Sequence, residues 1–96
     1  MKVVLKKVNS EAVVTEIENS LEGLQKIVGG YIEVVPVGSG ILMICNEEGK
    51  FNGSEPNFNL GYDTIMGDVF FTKGDDEGEF TSLDEEEIEA VFEWLG

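Results

Sequence analysis

Tyr31-Ile32-Glu33-Val34-Val35-Pro36-Val37-Gly38-Ser39-Gly40-Ile41-Leu42-Met43-Ile44-Cys45-Asn46 is the stretch whose reading decides the fold. Two apolar, largely β-branched runs, Tyr31–Val37 and Ile41–Asn46, flank a Gly-Ser-Gly triplet that accepts the positive φ angles of a tight turn. This pattern predicts a β-hairpin. Pro36 has no N–H to give to a ladder, so its strand belongs at an edge or ends there. The second run is continuously apolar, which predicts a central strand covered on both faces.

The segments before the hairpin supply one helix and two more strands. Gly29-Gly30 is a left-handed stop, and Leu21, Leu24, Ile27 and Val28 recur at offsets of three and four, which makes one apolar stripe. Asn19 with Glu22 has the spacing of a cap and its partner. Gly23 inside this helix costs about 1 kcal/mol relative to alanine and points to close packing against the sheet. Lys2–Val8 reads as a strand with Val3 and Leu5 toward a core, and Ala12–Ile17 as a second with Val13, Thr15 and Ile17 on one face. Asn9-Ser10-Glu11 is turn chemistry between them, so the chain is expected to open with a hairpin.

Beyond the central hairpin the pattern loosens. Glu47–Gly67 has no period, but Phe51, Phe58, Leu60, Tyr62, Ile65 and Met66 offer apolar anchors. Such a segment either carries function as a long ordered loop or plugs the open side of the sheet with its aromatics. Asp68–Lys73 reads as a strand on Val69, Phe70 and Phe71. A final helix follows Ser82, with Glu85 at capping-box spacing; Ile88, Val91, Phe92 and Leu95 form its stripe and Trp94 stands at the stripe's edge. The order β-β-α-β-β-loop-β-α predicts a single α+β domain over residues 1–96: a mainly antiparallel sheet of about five strands with two helices packed on it.

Charge and composition restrict what such a domain can do. Six lysines face twenty carboxylates, for a net charge of −14, and histidine is absent. A basic patch able to release counterions from a nucleic-acid backbone is missing, which argues against direct nucleic-acid binding; attachment to an anionic membrane is disfavoured for the same reason. A basic protein partner is permitted, and a homo-oligomer is left open. The acidity is uneven. Residues 1–46 carry four lysines and five glutamates, whereas residues 47–96 carry two lysines and fifteen acids. The chain shows no leader pattern and no apolar stretch near the ~18 residues of a membrane span, so a cytoplasmic location is expected.

Without histidine there is no imidazole base and no Ser-His or Cys-His pair. The lone Cys45, inside the apolar run, reads as a buried small hydrophobe. Gly38-Ser39-Gly40 lacks the spacing of a nucleophile elbow and the lysine of a phosphate loop. A non-enzymatic protein with no cofactor is therefore expected, and a metal-dependent hydrolase using paired acids is a remote alternative. Asp75, Asp76, Glu77 and Glu79 surround a glycine but do not follow a calcium-loop spacing, so no metal site is assigned.

Two surfaces stand out as candidates. Asn46-Glu47-Glu48-Gly49-Lys50, with Asn57 in the following loop, places carboxylates, amides and an ammonium directly after a buried strand, as a ligand or partner site would. Asp75, Asp76, Glu77 and Glu79, with Glu86, Glu89 and Glu93 on one face of the last helix, form an acidic surface. The first predicts a small binding module. The second permits an acidic decoy that imitates DNA phosphates and occupies a nucleic-acid-binding protein.

Gly29-Gly30-Tyr31-Ile32-Glu33-Val34-Val35, followed by Ile44-Cys45-Asn46-Glu47-Glu48-Gly49-Lys50, resembles the uncharacterised domain-of-unknown-function family numbered three-eight-four-six. Glu16–Leu21, Gly67–Phe71 and Phe80–Leu83 fit the same pattern, so the resemblance spans nearly the whole chain. It departs from the family at Asn52-Gly53-Ser54-Glu55-Pro56-Asn57, where leucine and proline would be more frequent. The resemblance implies a short protein of the kind often encoded by phages, plasmids and other mobile elements. It brings no established activity.

Overall fold

Strand β3 (Ile32–Gly38) and strand β4 (Ile41–Asn46) pair antiparallel, from Ile32 opposite Asn46 to Gly38 opposite Ile41. At the turn Gly38, Ser39 and Gly40 all have positive φ, at 111°, 54° and 77°, which is why glycine flanks the serine. The computed structural model describes residues 1–49, 53–59, 61 and 63–96. Three of the apolar anchors expected from the sequence, Phe51, Leu60 and Tyr62, lie outside the described residues, as do Lys50 and Asn52.

Around this hairpin the chain adds β1 (Lys2–Lys6), β2 (Val13–Glu16) and β7 (Val69–Gly74), in the spatial order β2-β1-β7-β4-β3 and with every neighbour antiparallel. Pro36 therefore sits on an edge strand, and β4 is interior. A short β8 (Phe80–Thr81), unforeseen in the sequence, pairs with the end of β7. Successive residues of β4 and β7 point to opposite faces, so Met43 and Phe71 enter one core while Ile44 and Phe70 enter the other, all at 0% exposure. Helix α1 (Leu21–Val28) covers the second core with Leu24 and Val28. Helix α2 (Glu85–Leu95) covers the first with Val91, beside Ile65 and Phe58. The result is an α+β fold with a mainly antiparallel sheet held between layers. Because both faces are covered, Val4 is as fully buried as Val3.

Several local expectations shift by a residue or two, each for a tertiary reason. The first helix is capped by Ser20, whose Oγ accepts from Gly23 N at 3.1 Å. Asn19 is not its cap; it lies one residue outside, with its Nδ2 donating to Phe80 O at 3.1 Å. The second helix starts at Asp84, which forms a capping box with Glu87. Ser82 cannot cap it, since its Oγ accepts from Lys2 N at 2.9 Å across the sheet. A Cβ on Gly23 would crowd Ser20 Oγ and Glu18 O, so the close approach there comes from the chain entering the helix and not from the sheet. Leu21 and Phe92 lie at the margins of their stripes, 61% and 38% exposed. Trp94, in contrast, packs its ring edge-on against Phe58 and Phe71.

The irregular segment Glu47–Gly67 contains a second hairpin, β5 (Pro56–Asn59) with β6 (Thr64–Met66). It lies on the α2 side of the sheet, and Phe58 rests 6.4 Å from Phe71 between ring centroids. The plugging role expected for the loop aromatics is thus filled by Phe58.

Candidate functional site

The turn after β4 is built around the Asn46 side chain. Its Nδ2 donates to Val28 O at 3.0 Å, and its Oδ1 accepts from Glu48 N at 2.7 Å. Glu47 N donates to Tyr31 O at 2.9 Å, and Gly49 N to Asn46 O at 3.1 Å. A Cβ on Gly30 would stand 2.9 Å from Asn46 Nδ2, so only glycine lets the chain pass so near. Asn46 is 7% exposed, and its amide joins the end of α1 to the end of β4. Asn57 makes a different joint. Its Nδ2 donates to Lys6 O and Gly67 O, at 2.9 and 2.8 Å, and its Oδ1 accepts from Lys6 Nζ at 2.9 Å, which fastens β5 to β1. Of the candidate ligand residues, Glu47 and Glu48 leave their carboxylates exposed, and Lys50 is outside the described residues.

The acidic candidates divide between structural and free carboxylates. Asp75 shapes its own turn, with Oδ1 accepting from Glu77 N and Glu79 N, both at 2.9 Å. Asp84 is the α2 cap, and Glu87 adds an ion pair with Lys73 at 3.1 Å. Asp76, Glu77, Glu79, Glu85, Glu86, Glu89 and Glu93 are exposed, and their carboxylates make no hydrogen bond or ion pair among the described residues. No three acids or thiols converge there as a metal ligand set.

One feature of this surface escaped the sequence. Between the tip of the β3–β4 hairpin and α2 lies an apolar cleft of about 140 Å³, lined by Val37, Ile41, Phe71, Ala90, Val91 and Trp94. Trp94 is 43% exposed even though its ring packs on Phe71. Glu86 and Glu93 stand one helical turn to either side of Ala90, on the same side of α2. The only hint in the sequence is a small residue, Ala90, at a helix position flanked by bulky ones.

Cys45 is buried, with Sγ 3.8 Å from both the carbonyl oxygen and Oε1 of Glu33. Burial, then the neighbouring Glu33 charge, then the hydrogen bond to it push the thiol up to about 11. At pH 8 roughly one such thiol in a thousand is ionised, so an aromatic disulfide reagent is expected to react far more slowly with the native protein than in urea. The folded pKa is raised, so this thiol's contribution to stability is intact below the unfolded value near ~8.5 and is lost as pH rises toward 11. Equal reaction rates with and without urea would contradict the burial.

These elements define an α+β domain with an antiparallel sheet between helical layers and an acidic helix beside a small apolar cleft. The family described as Domain of unknown function (DUF3846) matches residues 1–96, and the chain belongs to that family. Among curated proteins and solved structures none matches it. No helix among the described residues is long and apolar enough to cross a membrane.

Proposed function

We propose that this protein is a small non-enzymatic interaction module that holds a basic protein partner against α2 and the turn between β7 and β8. The observation that carries this reading is the segregation of unpaired charge. Ten acids and no base fall between Asp75 and Glu93, and most of those carboxylates are exposed with no partner among the described residues. Like charges three and four apart on a helix destabilise it by about 0.2–0.5 kcal/mol per pair, and Glu86, Glu89 and Glu93 have that spacing. Cations from a partner relieve this repulsion. Solubility alone is an insufficient reason for it, since a net charge of magnitude ~2–8 serves a small domain and this one carries −14. The reading does not pass through Asn46 or Asn57, whose amides are committed to internal bonds.

A short oligolysine peptide tests it by calorimetric titration. Binding is expected to weaken at least tenfold between ~50 and ~200 mM salt, and to be lost when Glu86, Glu89 and Glu93 are all changed to lysine. Changing Glu11, Glu18 and Glu47 to lysine alters net charge equally and is expected to leave binding intact. Equal loss in both variants would show that only total charge matters and would end the proposal.

The decoy reading rests on the shared exposed face of Glu86, Glu89 and Glu93 and on the mobile-element association of the family resemblance. The helix sets these carboxylates about 4.5 and 6 Å apart along its axis, wider than the ~3.4 Å charge spacing of one DNA strand. Mimicry therefore needs the β7–β8 turn acids as well. A natural partner released by oligolysine but not by duplex DNA would rule it out.

A further inference from the structure

The cleft beside α2 has the dimensions of one side chain. Its volume of about 140 Å³ is well below the ~300 Å³ at which small-molecule pockets begin, and close to the ~150 Å³ that encloses a benzene ring. Its floor is the buried Ile41, Phe71 and Val91, and its walls are Val37 and the partly exposed ring of Trp94. An aromatic wall around a preformed apolar recess is the kind of place where an interface concentrates its affinity in one anchor residue.

The charge beside the cleft states which kind of chain brings that anchor. Glu86 and Glu93 lie one helical turn to either side of the cleft-lining Ala90 on α2, and Lys73 is engaged with Glu87. Outside α2, the large exposed apolar residues among the described residues are Val13, Val14, Leu21, Tyr31 and Val34, and each lies within two positions of Glu11, Glu16, Glu22 or Glu33. A second copy offering any of these would bring a glutamate with it toward Glu86 and Glu93 and, from a half of the chain with four lysines and five glutamates, no net positive charge. We infer that the cleft receives a single leucine or aromatic side chain from a lysine- or arginine-rich segment of a partner protein. This rests on the basic-partner reading above and adds the seat, the anchor and the form of the ligand: an apolar residue flanked by cations.

Trp94 is the only tryptophan, so its emission reports on the cleft directly. Two peptides of equal length serve as probes, one all lysine and one with a central leucine. The leucine peptide is expected to bind roughly 10- to 100-fold more tightly, in keeping with burial of one such side chain, and alone to shift Trp94 emission to the blue. Ala90→Met fills the cleft without changing charge and keeps a good helix former at an exposed position. It is expected to abolish the leucine advantage and leave the all-lysine peptide unaffected. Equal affinity of the two peptides for the unaltered protein overturns the inference while leaving the acidic-surface reading in place, and binding of neither overturns both. A leucine advantage that survives Ala90→Met moves the anchor elsewhere and overturns it too. A blue shift that grows with protein concentration alone assigns the cleft to a second copy and equally ends the proposal.

Discussion

Replacing Phe71 with alanine is expected to lower stability by about 3–5 kcal/mol, the range for an aromatic ring removed from a packed core. A chain of this length holds on the order of 5–14 kcal/mol in total, so this one change removes a large share of it. The midpoint of thermal unfolding should fall on the order of 20 °C. Phe71 is fully buried in β7, paired across the sheet with Val4 on one side and Met43 on the other. Its ring also contacts Phe58 at 6.4 Å and Trp94 at 5.6 Å, so it is where sheet, second hairpin and α2 meet. Phe92→Ala is the comparison, because that ring is 38% exposed and belongs to neither core cluster. Its cost should stay near ~0.5 kcal/mol. Urea unfolding of both variants decides the matter, and similar midpoints would mean that α2 and the β5–β6 hairpin are not seated on Phe71.

The parts of this fold legible in the sequence were those fixed by local physics. Gly38-Ser39-Gly40 needed positive φ at every position, and Ile41–Cys45 was apolar without a break, so the central hairpin and the interior strand could be placed directly. The helix caps could not, because Ser82 and Asn19 are used by Lys2 and Phe80, partners far away in the chain. Both residues have the right chemistry for a cap, and nothing local records that a strand edge has claimed them. The β5–β6 hairpin was hidden for a related reason. Its strands are short, and its attachment runs through Asn57 to Lys6.

The candidate site was legible in the same uneven way. The acidic face of α2 followed from spacing alone. The apolar cleft did not, since it joins a hairpin tip to a helix distant in sequence, and Trp94 read only as the edge of a stripe. Asn46 was recognisable as a polar residue ending an apolar strand, but its role depended on where Val28 O would lie.

Asn46→Ala is accordingly expected to cost about 2–3 kcal/mol, mostly through the groups it abandons. Val28 O and Glu48 N each lose their partner, and Val28 O lies where water has little access. Helix α1 has eight residues, well short of the ~12–15 at which an isolated helix becomes even marginal, so its last turn depends on this bond. Asn46→Asp separates the two bonds. The carboxylate still accepts from Glu48 N but has no proton to give Val28 O, so at neutral pH the loss should be at least that of alanine. Measured against the unaltered protein at each pH, the deficit should shrink as pH falls toward about 4, because the protonated acid donates again. Glu47→Gln and Glu48→Gln, at exposed positions of the same turn, should change stability by no more than ~0.5 kcal/mol. A partner lost with Asn46 but kept with both glutamine variants would therefore report melting of α1 and not a binding contact. An Asn46→Ala protein as stable as the original would overturn the structural role, and would return the amide to the list of groups available to a ligand.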